Sequence, residues 1–315
     1  MVKIAFWDNG LGERGTSVSL YDYAHFNETI LKNNSIILYN TTHYSNNKNA
    51  IEKFTNRFTV YGVDDWSRVD NILSFEKCDI LYIIKSGGWD GQVSKICKTV
   101  VHCVFTCCNP HGDVYSSIAE WVPENNGKFP VVPHMINLPI HNKNMREKLN
   151  IPEDAIVYGR HGGYDEFNIE YVLKIVYEIA KKYNNIYFLL VNTKPFCEEL
   201  PNIIHHPMII DLDEKVEFIN TCDAMLWARY GGEVFSLSQG EFSIKNKPVI
   251  CTDGYYINGH KNLLQNKCIW YNEKNLKDML INFDKKEMAK KDWNAYKNYT
   301  PEKVMQIFKK VFIDN

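Results

Sequence analysis

Two glutamates in the segment ARYGGEVFSLSQGEFSIKNKPVI, residues 228–250, are the side chains best placed to do chemistry. Glu233 and Glu241 are separated by seven residues, Gly231 and Gly232 precede them, and a β-rich KPVI run follows. A helix that begins near residue 234 or 235 would put Glu233 at its start and Glu241 about 10 to 12 Å further along. The two carboxylates would then contact different parts of one elongated ligand. The glycines would leave the helix N-terminus open to a diphosphate.

The alternative for both glutamates is an ordinary solvated surface position, which is where most glutamates lie. The context of the pair is a strand, two glycines, a glutamate, a helix and a second strand. That context favours a functional site.

A glycine-rich turn near the start of the chain is the second candidate. The segment DNGLGERGTSVSLYDYA at 8–24 follows a predicted strand and opens a predicted helix. Gly10, Gly12 and Gly15 permit a tight turn and close approach of a phosphate or hydroxyl to the helix N-terminus. The spacing is not the GxGxxG of dinucleotide sites, and a plain strand-to-helix turn is an equal alternative.

The elements that must position these residues form two series of short β-rich runs alternating with helical stretches. The runs lie at 2–7, 35–39, 58–62, 79–84 and 100–105, and again at 155–159, 185–191, 224–228, 247–252 and 268–271. A helix at 169–183 carries one apolar stripe. This alternation predicts an α/β protein with two doubly wound domains, each built on a parallel sheet.

The boundary between the two series is predicted where prolines interrupt the rhythm, between residues 123 and 155. We expect domains at 1–140 and 141–295 and a C-terminal helix at 296–315. In that helix Thr300 is expected to cap and Pro301 to take the first helical position. No internal repeat is found.

The composition excludes several classes of partner and compartment. The chain has 36 Lys and Arg against 38 Asp and Glu, so no broad charge favours a nucleic acid or an anionic membrane. Its odd number of cysteines, nine, predicts reduced core residues. No window approaches the roughly 20 apolar residues of a membrane span, and no signal peptide opens the chain. We therefore expect a cytoplasmic protein without a transmembrane segment.

The pattern Glu233-x7-Glu241 resembles the E-x7-E motif of retaining family 4 glycosyltransferases. The segment YGRHGG at 158–163 resembles the opening of their C-terminal domain, and 216–229 resembles the helix and strand that lead into the motif. The turn at 8–15 resembles their N-terminal loop. The resemblance implies a GT-B fold of two facing Rossmann-like domains. It also implies that residues 1–140 are the acceptor-side domain, 141–295 are the donor domain, and the last helix packs back toward the N-terminal domain.

The resemblance also implies roles for individual residues. Glu233 would contact hydroxyls of the donor sugar, Glu241 the nucleotide ribose, and Arg160 the diphosphate as it leaves. His111 in NPHGDVY matches the histidine that touches the transferred sugar in relatives. Transition-state charge would be stabilised electrostatically, without a metal or other cofactor.

The sequence departs from the family at one position. Relatives carry a lysine shortly after the arginine, whereas GRHGGYDEF has Asp165 and Glu166 there. Arg229, four residues before Glu233, is expected to replace it. If it does not, the alternative is a catalytically inactive protein that binds sugar nucleotides or glycans. A GT-B nucleotide-sugar epimerase is a third hypothesis.

The expected partners are a GDP- or UDP-linked sugar, which donates a hexose-type group, and a glycan or other hydroxyl acceptor that receives it. A homodimer is left open.

Two patterns that could suggest a metal site are set aside. HCVFTCCNPH at 102–111 is expected to be buried strand and not a zinc site. In DLDE at 211–214, Asp213 is expected to cap a helix that begins at Glu214.

Overall fold

The chain forms two structural units in a computed structural model that describes residues Met1–Asn315. Residues Met1–Met135 and Tyr299–Asn315 make the first unit, and Ile136–Asn298 make the second. None of the helices combines the length and the apolar run needed to cross a bilayer.

The first unit is a parallel six-stranded sheet with covering helices. Its strand order is β3-β2-β1-β4-β5-β6. In chain order the elements are β1 (Lys3–Asp8), α1 (Gly15–Thr29), β2 (Asn34–Asn40), α2 (Lys48–Thr55), β3 (Thr59–Val63), α3 (Val69–Glu76), β4 (Ile80–Lys85), β5 (Lys98–Cys103) and β6 (Val114–Ser117).

The second unit repeats this plan with strand order β14-β12-β10-β7-β8-β9 and adds a two-stranded pair, β11 with β13. Its elements are β7 (Ile156–Arg160), α4 (Glu170–Lys182), β8 (Ile186–Val191), β9 (Ile203–His206), α5 (Leu212–Thr221), β10 (Ala224–Leu226), β11 (Gly232–Glu233), α6 (Leu237–Ile244), β12 (Val249–Cys251), β13 (Ile257–Asn258), α7 (Gly259–Leu264), β14 (Ile269–Trp270), α8 (Leu276–Ile281) and α9 (Lys285–Ala289). The predicted α/β class with two parallel sheets is therefore confirmed.

The central strands form because their apolar runs can be covered on both faces. Every residue of β4 is buried, as expected for a parallel sheet between helix layers. Helix α4 covers one face of the second sheet. Its residues Val172, Val176 and Ile179 are fully buried, while Ile175 at the margin of the predicted stripe is only partly buried. Burial of this stripe fixes which face of α4 meets the sheet.

The last helix, α10 (Pro301–Phe308), packs in the core of the first unit. Pro301 is its first residue, as predicted, but Thr300 makes no side-chain capping bond. Phe308 packs against Phe6 and Tyr23, with ring centroids 6.3 and 5.4 Å apart. These aromatic contacts tie the chain's end to the centre of the first sheet.

The proline-rich segment between β6 and β7 has no helix or strand but is not a solvated linker. Val132, Met135, Ile136 and Leu138 in it are buried. Prolines keep this segment extended, and its apolar side chains then pack like those of a strand.

The N-cap of helix α5 also differs from the prediction. Helix α5 is capped by Asp211, whose carboxylate accepts from the Glu214 N–H, and not by Asp213.

A buried hydrogen-bonded histidine links the first sheet to this extended segment. The Nε2–H of His102 donates to the Val132 carbonyl at 2.8 Å. Its Nδ1 accepts from the Tyr82 hydroxyl at 2.7 Å. These two bonds hold a neutral imidazole, and burial lowers the pKa of His102 to about 4. Protonation of this ring therefore opposes folding.

We predict that His102 makes the protein less stable in mild acid. The unfolded chain binds the proton near pH 6.5 and the folded chain near pH 4, so the stabilising contribution is complete above pH 6.5 and is lost as pH falls towards 4. The loss amounts to about 3 kcal/mol. Urea unfolding at several pH values should show a shallower profile for His102→Gln. The same substitution at the partly exposed His206 is the control. Parallel profiles for wild type and His102→Gln would contradict the prediction.

Candidate functional site

Polar side chains lie together at one edge of the second sheet, at the carboxyl ends of β7, β8 and β10. Strand β7 ends at Arg160, β8 is followed by Asn192 and Thr193, and the segment after β10 leads to Arg229 and Glu233. In parallel α/β sheets this edge is where ligands bind. The topology thus brings together residues that lie up to 73 positions apart.

Arg229 joins two carboxylates at this edge. Its Nη1 lies 2.9 Å from Glu233 Oε2, and its Nη2 lies 2.9 Å from Glu166 Oε1. Burial raises the pKa of Glu233, and Arg229 partly opposes that effect. From the sequence, Arg229 is expected to replace the missing lysine, and Glu166 is only a departure from the family pattern. The structure shows that Glu166 forms an ion pair with one of the two terminal nitrogens of Arg229, Nη2.

Glu241 is buried between two basic side chains. Lys215 Nζ lies 2.8 Å from its Oε1, and His161 Nε2 lies 2.9 Å from its Oε2. Burial alone would raise the pKa of Glu241, but Lys215 and His161 outweigh burial and lower it to about 2. The carboxylate is therefore ionised throughout the neutral range. Each oxygen keeps a further lone pair for another donor.

The guanidinium of Arg160 is bonded to the backbone around it. Its Nη1 donates to the Asn192 carbonyl at 2.9 Å and to Thr193 Oγ1 at 2.7 Å. Its Nη2 donates to the Gly163 carbonyl at 2.6 Å. Burial lowers the pKa of Arg160 to about 10, so it remains charged at neutral pH. Arg160 fastens the loops after β7 and β8 and leaves only a small part of its charge open to a ligand.

These side chains line a narrow recess that opens to solvent. Its polar lining consists of Arg160, His161, Glu166, Arg229, Glu233 and Ser238. Glu241 does not line the recess but lies behind His161. Of the two glutamates in the motif, Glu233 is the one that faces this space.

Helix α6 begins at Leu237 and not near residue 234 or 235 as the sequence predicted. Glu233 belongs instead to β11, which pairs with β13. Glu241 is consequently about one turn, roughly 6 Å, into the helix and not nearly two turns. The cause is Ser236, the N-cap, which has φ +53° and breaks the helical path ahead of Leu237.

The two glycines before Glu233 have different roles. Gly232 has φ +80°, and a Cβ there would lie 1.7 Å from the Ile257 carbonyl oxygen. Gly232 is therefore required for the β11–β13 pairing. A Cβ on Gly231 would meet nothing within 4 Å. Only Gly231 leaves backbone open, as the sequence analysis expected of both.

The glycine-rich turn of the first unit is closely packed at Gly12. A Cβ on Gly12 would lie 2.4 Å from the Ser45 carbonyl oxygen, so this glycine serves contact with a neighbouring loop. Gly15 is exposed and is the first residue of α1. Asp8, at the end of β1, accepts a hydrogen bond from Ser17 Oγ at 3.0 Å. Burial raises the pKa of Asp8 to about 6.

His111 also belongs to the first unit, and both of its ring nitrogens have partners. Its Nδ1 lies 2.5 Å from the Asn109 carbonyl oxygen, and its Nε2 lies 3.3 Å from Lys85 Nζ. The structure thus separates the candidate residues into two groups. Glu233, Glu241, Arg160, Arg229, Gly231 and Gly232 lie in the second unit, and His111, Gly12 and Gly15 lie in the first.

Three residues of the site were not singled out as ligands from the sequence: His161, Lys215 and Glu166. His161 directly follows the predicted Arg160, so its position at the end of β7 was an available signal. Lys215 lies 26 positions from Glu241, and no local pattern links them. The structure contains no group of three or more His, Cys, Asp or Glu side chains arranged to hold a metal ion.

The chain is similar in structure to several solved proteins at low sequence identity. HepE of Anabaena in complex with UDP-glucose has a TM-score of 0.73 at 12% identity, covering 98% of this chain and 99% of that one. A glycosyltransferase from Rickettsia africae has a TM-score of 0.71 at 13% identity, covering 100% and 99%. A putative UDP-N-acetylglucosamine 2-epimerase from Listeria monocytogenes has a TM-score of 0.62 at 13% identity, covering 100% and 97%.

No family model and no curated protein sequence matches the chain. The structural similarity shows the GT-B fold, as the sequence analysis predicted.

We predict strong coupling between Lys215 and Glu241. Lys215→Met should lower the free energy of unfolding by about 3 kcal/mol because it leaves a buried carboxylate with a single partner. The double variant Lys215→Met/Glu241→Met should be more stable than the sum of the single variants implies. Lys174→Met removes the exposed pair with Glu170 and serves as control, with a change below about 0.5 kcal/mol. Chemical unfolding provides the values, and additive effects would contradict the coupling.

Proposed function

We propose that this protein is a retaining glycosyltransferase of the family 4 type that moves a hexose from a UDP-linked sugar to a glycan or other hydroxyl acceptor. The supporting observation is the recess at the carboxyl edge of the second sheet, where Glu233 faces Arg229 and Arg160. This arrangement combines an acceptor for sugar hydroxyls with cations for a diphosphate. The UDP linkage is favoured over GDP because the similar HepE structure contains UDP-glucose.

In this proposal Glu233 accepts hydrogen bonds from hydroxyls of the donor sugar. Its carboxylate is held at one oxygen by Arg229 and otherwise faces the recess. A carboxylate fixed in this way is preorganised, so it orients the sugar without a loss of side-chain entropy at the moment of reaction. Burial raises its pKa, and the charge of Arg229 keeps the ionised form accessible.

Arg229 and Arg160 stabilise the diphosphate as it leaves. The negative charge on the leaving group grows in the transition state, and fixed cations beside it lower the barrier. Arg229 is the more available of the two because its partners are partly exposed carboxylates, whereas Arg160 is bonded to backbone carbonyl groups. Glu241 is assigned to the ribose hydroxyls, and Lys215 and His161 fix its position.

An epimerase acting on a UDP-linked amino sugar is the second candidate. It is favoured by the full-length similarity to the Listeria protein. The two functions differ in their need for an acceptor. An epimerase interconverts free donor sugars, whereas a transferase releases UDP only as the sugar moves to an acceptor or water. A sugar-nucleotide binding protein without activity would do neither.

We predict that UDP-glucose or another UDP-sugar stabilises the protein. At about 100 times its dissociation constant the ligand should add about 2.7 kcal/mol, which a thermal-shift assay detects as several degrees. GDP-, ADP- and dTDP-sugars and NAD(H) serve as comparison ligands. The absence of a shift with every nucleotide sugar would exclude the proposal. Conversion of UDP-N-acetylglucosamine to its epimer without acceptor would favour the epimerase.

Within the same proposal, Glu233→Gln should lower turnover by about a hundredfold, or about 2.7 kcal/mol of transition-state stabilisation. Its dissociation constant for UDP should change much less, because UDP lacks the sugar that Glu233 contacts. UDP release measured with donor and acceptor gives the rate, and calorimetry gives the affinity. Glu170→Gln, an exposed carboxylate on α4, is the matched control. Equal losses in UDP affinity and turnover would contradict the role.

We further predict that Glu166→Gln tightens UDP binding by about fivefold. Removing this carboxylate frees one side of Arg229 for the diphosphate, and the released pair is partly exposed, worth about 1 kcal/mol. Asp165→Asn is a matched control because it removes the same charge from the same loop, where Asp165 pairs with Lys194 instead. Unchanged or weaker binding in Glu166→Gln would exclude Arg229 as a diphosphate ligand.

A further inference from the structure

Strand β4 of the first unit ends in a buried cation that is paired with a carboxylate of the following loop. Lys85 is the last residue of β4, and its side chain is 3% exposed. Its ammonium forms an ion pair with Asp90, whose side chain is 34% exposed. The positive charge is thus covered and neutralised, and the carboxylate is the part of the pair that meets solvent.

His111 completes this cluster in a defined tautomer. The Nδ1–H of its ring donates to the Asn109 carbonyl at 2.5 Å, which leaves the Nε2 lone pair to accept from Lys85 Nζ at 3.3 Å. Burial lowers the pKa of His111, and the Lys85 charge adds to that effect. The imidazole is therefore neutral, and its Nε2 helps to hold the Lys85 ammonium in place.

Trp89 lies next to this cluster and is 60% exposed. Its ring meets His111 edge to face, with centroids 5.0 Å apart and planes at 85°. The loop below it is held firmly. Gly87 has φ +127°, and a Cβ there would lie 1.7 Å from the Thr106 carbonyl oxygen. The Tyr115 hydroxyl donates to the Gly87 carbonyl at 2.6 Å. A large aromatic ring is thus exposed to solvent on a loop that is held in place by the contacts of Gly87 with Thr106 and Tyr115.

We propose that Trp89 and Asp90 form a carbohydrate-binding subsite, the acceptor subsite if the proposed function is correct. The C–H face of a pyranose packs on the exposed indole, and its hydroxyls donate to the Asp90 carboxylate, which can only accept. The subsite lies in the loop at the carboxyl end of β4, the edge of a parallel sheet at which ligands bind.

The charges of the cluster oppose phosphorylated ligands. A nucleotide would also stack on Trp89, but its phosphates would face the outward carboxylate of Asp90, while Lys85, the cation paired with Asp90, is buried. An uncharged, hydroxyl-rich ring meets no such repulsion. The side chains therefore favour a neutral sugar over a nucleotide or a phosphorylated ligand.

The test is a titration of the full chain, labelled with ¹⁵N at its tryptophans, with methyl α-glucoside, methyl α-mannoside, methyl α-galactoside, methyl β-N-acetylglucosaminide and maltose. Trp89→Phe identifies the Trp89 indole signal among the seven tryptophans. At least one sugar should shift this signal with saturation. Trp89→Ala should weaken its binding, followed by calorimetry, about tenfold or more, and Trp89→Phe by less. Phe75→Ala, which truncates a 79% exposed ring on α3, should leave binding unchanged.

Two results would overturn the subsite. One is that no sugar moves the Trp89 signal. The other is that UDP or UDP-glucose moves it and the neutral sugars do not. The outcome for the proposed function is separate, because binding of UDP-glucose is measured on the same samples by thermal shift. Sugar binding at Trp89 without any nucleotide binding would reject the transferase and keep the subsite. Transfer unaffected by Trp89→Ala would reject the acceptor role of the subsite and keep the transferase.

Discussion

The parallel direction of all strands within each sheet is the constraint on which both candidate sites depend. Because every strand of a parallel sheet ends at the same edge, the residues that follow different strands meet there regardless of their distance in sequence. Arg160 follows this rule in the second sheet, and Lys85 follows it in the first. The middle of the central strands is mainly apolar, so the edge of the sheet is where most of the charged side chains can be accommodated.

Charge balance decides what the second unit can bind. Three cations of the site oppose three carboxylates, namely Arg160, Arg229 and Lys215 against Glu166, Glu233 and Glu241. An incoming diphosphate must therefore replace one of the carboxylates or face a neutral site. Breaking the buried Lys215–Glu241 pair costs several kcal/mol of free energy, because separation leaves an unpaired charge away from water. The Arg229–Glu166 pair is more exposed and weakly held. Exchange of anions is thus physically feasible at Arg229 and not at Lys215.

The sequence predicted the sheet strands with long apolar runs, because continuous burial leaves a strong local pattern. Short edge strands such as β6 and β9 were missed, since they carry only four residues each and their pairing is set by neighbours far along the chain. The start of α6 was misplaced for a local reason. Ser236 adopts a left-handed backbone conformation, which the presence of a serine does not predict. The residues before it therefore fitted a helical pattern in the sequence.

Within the site, the two glutamates could be identified from spacing, but their environments could not. The ionised state of Glu241 depends on Lys215, which is contributed by α5, and the sequence offers no signal for a contact between α5 and α6. The partial neutralisation of Arg229 by Glu166 is likewise a tertiary contact. Local patterns report which residue types are present, whereas the pKa and availability of each charge depend on packing.

The glycines show why a residue type alone does not identify a phosphate site. Glycine is required where a ligand approaches the backbone and equally where another part of the chain does. Gly12 and Gly232 belong to the second class, because a Cβ on either would collide with a carbonyl oxygen of this protein. Of the Gly231–Gly232 pair, only Gly231 has open space where a Cβ would be, and one such position offers few backbone donors. In the proposed function, a diphosphate in this unit would therefore be held mainly by side-chain cations. Arg229, the arginine that can exchange partners, would govern its binding more than the glycine pair.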